Sequence, residues 1–423
     1  MGRSAIAEAT KVAMAARRAA PDLMAAATAA KDAVLAKSAA LLVDRRKAVL
    51  SANARDLKIG ERQSLSPALL DRLRLTPERL DEMRAMIDAV RVLPDPVDRS
   101  LGEWTRPNGL AIAKVAVPLG VLLIIYEARP NVTVECASLA IKSGNAILLR
   151  GGSEAAHSNQ ALAVCFQEAL RASGLPATAV GTIPPADRRA IYALLKRDDL
   201  IHLVIPRGGP SLIRAVTAKS RIPVIKHYQG ICHVYVDAAA DLAMAEQIVV
   251  NAKCQRPGVC NAMECLLVNA VVAPSFLPRI GDALASRGGQ LYACPRSRAI
   301  LGKRPYVRPA TPAHYRTEYL DLRCSVRVVE DVHAAVAHIM TYGSQHTDAI
   351  VSQDPAAIAI FVKDVDSASV MVNTTTRFSD GFQYGLGAEI GISTDKIHAR
   401  GPMGLDSLTS YKYVVTGQGQ LRT

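Results

Sequence analysis

A cysteine in a tight loop beside fixed positive charge is the residue of this sequence best suited to nucleophilic chemistry. Cys260 stands in Gln255-Arg256-Pro257-Gly258-Val259-Cys260-Asn261, where Pro257 and Gly258 force a turn and Arg256 lies just upstream. An unperturbed thiol ionises near pH ~8.5 and a neighbouring cation lowers that value, so this thiol is a candidate for thiolate attack. From the local residues alone, a buried and inert thiol is an equally good reading, because burial is the usual fate of a cysteine outside a disulfide. His227 and His398 are the histidines that could act as its base, with a structural role the favoured reading of each. No CxxC pair occurs, and Cys254, Cys260 and Cys265 lack zinc-ribbon spacing and a neighbouring histidine pair, so no metal is expected.

Anion chemistry has its own residues. Arg150-Gly151-Gly152-Ser153-Glu154 and Arg207-Gly208-Gly209-Pro210 each join a strand-like run to a helix-like run, where backbone N–H groups can approach a phosphate. Arg129-Pro130-Asn131 sits in a similar corner without glycine. Thr374-Thr375-Thr376-Arg377 sets a guanidinium beside three hydroxyls, a receptor suited to carboxylate or phosphate. Neither GxGxxG nor GxxxxGK[ST] is present.

The elements that must hold these residues are legible as a pattern. Helical periodicity fills residues 4–55 and resumes over 66–93 after a break expected at Gly60, with Pro94 and Pro96 closing the section. Two strands are expected across 103–117, turning at Pro107-Asn108-Gly109. Short apolar strands then alternate with helices: strands 121–126, 146–150, 180–183 and 201–206, helices 132–142, 153–172, 187–196 and 210–218. A second alternating section holds strands 233–236, 263–268, 326–329, 349–351 and 370–373, with helices 241–252 and 332–340. Such alternation implies parallel sheets covered on both faces, with ligands at the carboxyl ends of the strands.

Composition bounds the function. The 423 residues exceed what one core usually holds, so two domains are expected, with a boundary near Gly230. The net charge of +13 is spread along the chain without blocks, and aromatics make up only 4%, so a basic surface with an anionic small-molecule site fits better than a nucleic-acid platform. The longest apolar stretch, 119–125, cannot span a bilayer, and the N-terminus lacks the apolar core of a signal peptide. A cytoplasmic enzyme with reduced thiols is the expectation.

At its motifs the chain resembles the aldehyde dehydrogenase superfamily, and within it the branch that reduces an acyl phosphate. The resemblance rests on Val117-Pro-Leu-Gly-Val121, Tyr126-Glu-Ala-Arg-Pro-Asn-Val-Thr133, Leu149-Arg-Gly-Gly-Ser-Glu154, Pro206-Arg-Gly-Gly209, Gln255-Arg-Pro257 with Cys260-Asn261, Thr376-Arg-Phe378 with Asp380-Gly381, and His398-Ala-Arg-Gly-Pro-Met-Gly-Leu405. It implies an α/β fold with a Rossmann-like cofactor domain lacking GxGxxG, an α/β catalytic domain and a small oligomerisation flap. The implied bounds are 1–230 for the helical start and cofactor domain, including the flap near 103–117, then 231–385 for the catalytic domain and 386–423 for a returning segment that packs on the cofactor domain.

The implied reaction is the second step of L-proline biosynthesis: NADPH-dependent reduction of L-glutamyl 5-phosphate to L-glutamate 5-semialdehyde through a Cys260 thioester. By the same resemblance the substrate is received by Arg129, Arg256, Arg377 and Thr376, and the cofactor by Arg150, Ser153, Arg207, Gly208, Gly209 and Glu318. Ser153 in place of the glutamate of NAD-preferring relatives, with Arg150 near it, implies NADP. Glu318 is implied at the nicotinamide ribose. The Cys260 backbone N–H is one oxyanion donor; the second is Asn131 as the nearest amide, or Arg129 by ungapped comparison. Lys226-His227-Tyr228-Gln229-Gly230 replaces the Glu-Leu-Gly-Gly of hydrolytic relatives and carries no water-activating carboxylate. Ala262 departs from an expected threonine. Implied partners are a second copy of the chain and, for handover of a labile acyl phosphate, glutamate 5-kinase. The competing readings are a hydrolytic NAD(P)-dependent aldehyde dehydrogenase and a basic nucleic-acid-binding protein.

Overall fold

A computed structural model describes residues 2–184 and 187–422. The chain divides into two compact units, residues 1–226 with 385–392 and 397–423, and residues 227–384 with 393–396.

The first unit opens with the helices Gly2–Met24, Thr28–Asp44, Arg46–Arg62 and Pro77–Arg91. Gly60 does not break the third of these. It lies inside the helix, packed closely against Leu65, and the chain turns instead at Ser64 with φ +55°. The expected hairpin forms from β1 (Ser100–Thr105) and β2 (Ala111–Pro118), antiparallel, and the strand Thr409–Thr416 adds to the other side of β2. Next come β3 (Val121–Tyr126), β4 (Ala146–Arg150), β5 (Val180–Thr182) and β6 (Leu203–Arg207), in the order β5-β4-β3-β6 and all parallel. All six residues of β3 are buried, which a strand covered by helices on both faces requires of a run such as Val-Leu-Leu-Ile-Ile-Tyr.

The second unit is a seven-stranded parallel sheet. Its strands are β7 (Cys232–Val236), β8 (Met263–Asn269), β9 (Gln290–Ala293), β10 (Val307–Pro309), β11 (Arg323–Val329), β12 (Thr347–Val351) and β13 (Ser369–Val372), ordered β10-β9-β11-β8-β7-β12-β13. The five strands expected here are present. The helices Ala273–Ala285, Pro295–Leu301 and Pro355–Asp364 and the short strands β9 and β10 had no counterpart in the sequence reading. Val234, Leu266, Phe276, Val326 and Ala349 lie in one buried cluster on one face, and Tyr235, Leu267, Ile350 and Phe361 in another on the opposite face.

Candidate active site

The Cys260 loop is a short bridge with clamped ends. It leaves the helix Leu242–Cys254 and enters β8. Lys253 and Glu264, one on each side of the loop, form an ion pair of 2.7 Å with both side chains fully buried. Removing one partner of such a pair leaves a buried charge and typically costs about 3–5 kcal/mol. Cys260 is half-buried. Its carbonyl oxygen accepts the Cys232 thiol at 3.2 Å, and burial holds that thiol far above its ordinary range, so it stays a protonated donor. Gly230 presses on the same backbone: a Cβ there would fall 1.9 Å from the Cys260 carbonyl oxygen, so only glycine fits. Glu318 accepts the Gly230 N–H at 2.9 Å, and burial raises its pKa while that N–H lowers it. A carboxylate therefore stands behind the loop, supplied from residue 318.

Two histidines converge on the thiol. A ring nitrogen of His227, one of His346 and the Cys260 Sγ all lie within 4.8 Å of one another. The three residues precede β7, β12 and β8, which are neighbours in the sheet order β8-β7-β12, so the cluster gathers at the amino ends of adjacent parallel strands. This differs from the carboxyl-end placement expected for ligands. His227 and His346 stack edge-on at 5.5 Å. His346 is buried, and burial and then His227 push its pKa down to about 3, which keeps it neutral. Its Nδ1 lies 2.9 Å from Thr347 Oγ1, and its buried Nε2 has no hydrogen-bond partner.

Arg377 is held against the same loop. It lies in the 3-10 turn Thr376–Phe378, and its Nε donates to Gln255 Oε1 at 2.9 Å. The Asn261 amide donates to Ser379 O at 2.9 Å and to Arg377 O at 3.4 Å, tying the residue after the cysteine to the arginine's turn. Burial first and then the Arg256 guanidinium lower the Arg377 pKa, while Cys260 and Asp380 act in the opposite direction. The attraction between Cys260 and Arg377 is mutual and favours the thiolate. Thr376 is fully buried with its hydroxyl unpartnered, and Arg256 is exposed. The structure thus gathers Cys260, Arg256, Arg377, Thr376 and Glu318 in the second unit. It adds His227, which sequence reading placed second to a structural role, and His346 and Asn261, which it did not assign. His398 belongs to the first unit, where its Nε2 is 3.1 Å from Ser407 O.

The remaining candidates lie in the first unit. Tyr126, Leu149, Gly151, Gly152, Asn159, Thr182 and Ile183 line a cleft of about 170 Å³ at the carboxyl ends of β3, β4 and β5. Gly151 lets Asn159 pack close to the cleft, since a Cβ would lie 2.0 Å from Asn159 Nδ2 and displace that side chain. Arg150 has a buried Nε without a partner, and Ser153 is exposed on the first turn of its helix. At the second corner the Gly209 N–H donates to Glu127 Oε2 at 3.2 Å, which sets a carboxylate where an anion would dock. Asn131 donates to Glu135 at 2.7 Å, and Arg129 is exposed at the start of the helix Pro130–Lys142.

Comparison with known proteins places this geometry. A model of the aldehyde dehydrogenase family matches residues 4–289. A gamma-glutamyl phosphate reductase of Anaeromyxobacter dehalogenans is 52% identical over 418 residues, covering 98% of either chain. One of Moorella thermoacetica is 50% identical over 407 residues, covering 96% of this chain and 97% of its own. The crystal structure of a gamma-glutamyl phosphate reductase from Thermotoga maritima superposes with a TM-score of 0.95 at 43% identity, covering 98% of this chain and 100% of that one. Sequence and fold agree, and the chain belongs to the aldehyde dehydrogenase family, on its gamma-glutamyl phosphate reductase branch.

Proposed function

We propose that this protein reduces L-glutamyl 5-phosphate to L-glutamate 5-semialdehyde with release of phosphate, using NADPH, in the second step of L-proline biosynthesis. The observation that carries the reading is the match to gamma-glutamyl phosphate reductases over 98% of the chain. The Cys260 loop, flanked by His227 and Arg377, supports it chemically.

His227 takes the Cys260 proton, and the thiolate attacks the acyl carbonyl carbon. The tetrahedral oxyanion is held by the Cys260 backbone N–H. As the C–O bond breaks, His227 returns its proton to the departing phosphate and a thioester remains. Arg377 and Arg256 receive the anionic groups of the substrate, and Thr376, fully buried, serves only through the turn that carries Arg377. NADPH, when bound, supplies the hydride that reduces the thioester carbonyl; C–S cleavage then frees the aldehyde and restores the thiolate.

The cofactor fits the first unit. The glycine-walled cleft, the unpartnered Arg150 Nε and the exposed Ser153 suit the ribose and 2′-phosphate of NADP, which favours NADP over NAD. Arg207, Gly208 and Gly209 are the weaker cofactor corner because Glu127 occupies the Gly209 N–H. Glu318 remains the candidate for the nicotinamide ribose. The exposed flap, with Trp104 and Tyr413 in edge contact, supports self-association, to be read by light scattering. A handover contact with glutamate 5-kinase is to be read in the same way on a mixture. No helix among the described residues is long and apolar enough to cross a membrane.

Glu318 behind the loop is the one observation favouring a hydrolytic dehydrogenase. Oxidation of glutamate 5-semialdehyde by NADP separates the two. The reductase requires inorganic phosphate to discharge the thioester; equal rates without phosphate would establish hydrolysis.

A further inference from the structure

We propose that His227, Cys260 and His346 form an inhibitory site for a zinc-class divalent cation. The second unit contains two trios of one cysteine and two histidines: this one and the fully buried His233, Cys265 and His338. Only the first is reached by solvent, and only in the second is a ring nitrogen forced to turn a proton toward the cysteine.

In the buried trio, Arg327 Nη1 lies 3.1 Å from His338 Nδ1. A guanidinium has no lone pair, so it must donate, and the ring proton sits on Nε2, the nitrogen 3.6 Å from Cys265 Sγ. That nitrogen offers hydrogen to the cluster, and Arg327 adds a positive charge.

At the first trio no neighbour forces a proton toward the thiol. The Cys232 thiol donates to the Cys260 carbonyl, and His346 Nδ1 has two neighbours, Thr347 Oγ1 at 2.9 Å and Cys232 Sγ at 3.7 Å. The Thr347 hydroxyl can accept from Nδ1 or donate to it; when it accepts, the ring proton is on Nδ1 and the buried, unpartnered Nε2 carries a lone pair. His227 and Cys260 are half-exposed, which gives an ion a route in. One thiolate and two neutral imidazoles form a zinc donor set, with water in the fourth position. Bonds of ~2.3 Å to sulfur and ~2.0–2.1 Å to nitrogen bring tetrahedral ligand atoms to ~3.5 Å apart. The ligands, now within 4.8 Å, must close by about an ångström, which two loop residues can supply. Binding releases the thiol proton and forms an S–Zn bond, so it strengthens as pH rises and blocks the nucleophile. Arg377 opposes the cation, which limits the affinity and keeps the inhibition reversible.

The test needs no turnover, so it stands or falls apart from the reductase reading. Chelator-stripped protein is titrated with Zn²⁺ by calorimetry, and with Co²⁺ by its thiolate-to-metal charge-transfer band. One Zn²⁺ per chain is expected, with the cobalt band present. Cys260→Ser and carboxymethylated wild-type protein are each expected to weaken binding at least ~10-fold and abolish the band. His227→Gln also weakens it, while Cys254→Ala does not. Unchanged Zn²⁺ affinity after carboxymethylation of folded wild-type protein, or a cobalt band that survives Cys260→Ser, overturns the proposal.

Discussion

Two trios of the same composition sit at one sheet, and one of them holds the candidate nucleophile. Cys265 is the third residue of β8, fully buried, and burial pushes its thiol far above the ordinary range. Cys260 stands three residues before the same strand, half-exposed, with Arg377 attracting its thiolate. Five residues of chain therefore separate an inert thiol from a candidate nucleophile. Residue type, neighbouring histidines and a nearby arginine do not distinguish them, since Arg327 acts on Cys265 as Arg377 acts on Cys260; burial against solvent access does.

The largest expected effect breaks the pair apart directly. Cys260→Ser should lower kcat by at least ~10⁴-fold with NADPH binding intact. Cys265→Ala should cost about 1–2 kcal/mol of stability through its cavity and leave kcat near the wild-type value. Comparable losses of kcat in both variants, measured on folded protein, would remove the distinction.

Arg377→Ala tests the charge beside the accessible thiol. Losing a charge-assisted contact of about 1.5–3 kcal/mol should raise the KM for glutamyl phosphate ~10–100-fold, with little change for NADPH. Without the cation the thiolate is less favoured, so the iodoacetamide alkylation profile of Cys260 should move to higher pH. A larger change in the cofactor's KM would make Arg377 a cofactor residue.

The smallest effect belongs to the buried trio. Burial, then His233 and Arg327, push the His338 pKa from 6.5 down to about 2. The unfolded chain protonates this histidine below pH ~6.5 and the folded chain does not, so its contribution to stability is complete above that pH and is lost as pH falls. The thermal midpoint of the wild type should drop on acidification below pH ~6.5, and His338→Asn should flatten that slope. Parallel slopes would show that the ring titrates alike in both states.

Much of this arrangement could be read from the residues. Val121–Tyr126 and Ala146–Arg150 announce strands because runs of branched apolar residues have no polar face to expose. The helix Ala273–Ala285 was missed because Pro278 lies within it, although Phe276, Leu277, Ile280 and Leu284 keep helical spacing. Strands β9 and β10, of four and three residues, are too short to show a pattern. In the site, Cys260 and Arg377 carry local signatures. His227 and His346 carry none, since they meet only through the order β8-β7-β12 of strands distant in sequence. Each does precede a strand, and sheet order would have been the signal. Gly230 and Asn261 act through close approach and a tertiary hydrogen bond, which no local motif reports.

The central claim is an acyl group carried by Cys260 and passed to phosphate. It is tested most directly by incubating the enzyme with glutamate 5-semialdehyde and NADP without phosphate, then locating the adduct by fragmentation mass spectrometry. Cys254, Cys260 and Cys265 lie close in sequence, so fragmentation must resolve them. The account predicts a glutamyl adduct on Cys260 alone that disappears when phosphate is added. An adduct on another residue, or one that phosphate leaves in place while water discharges it, would contradict it.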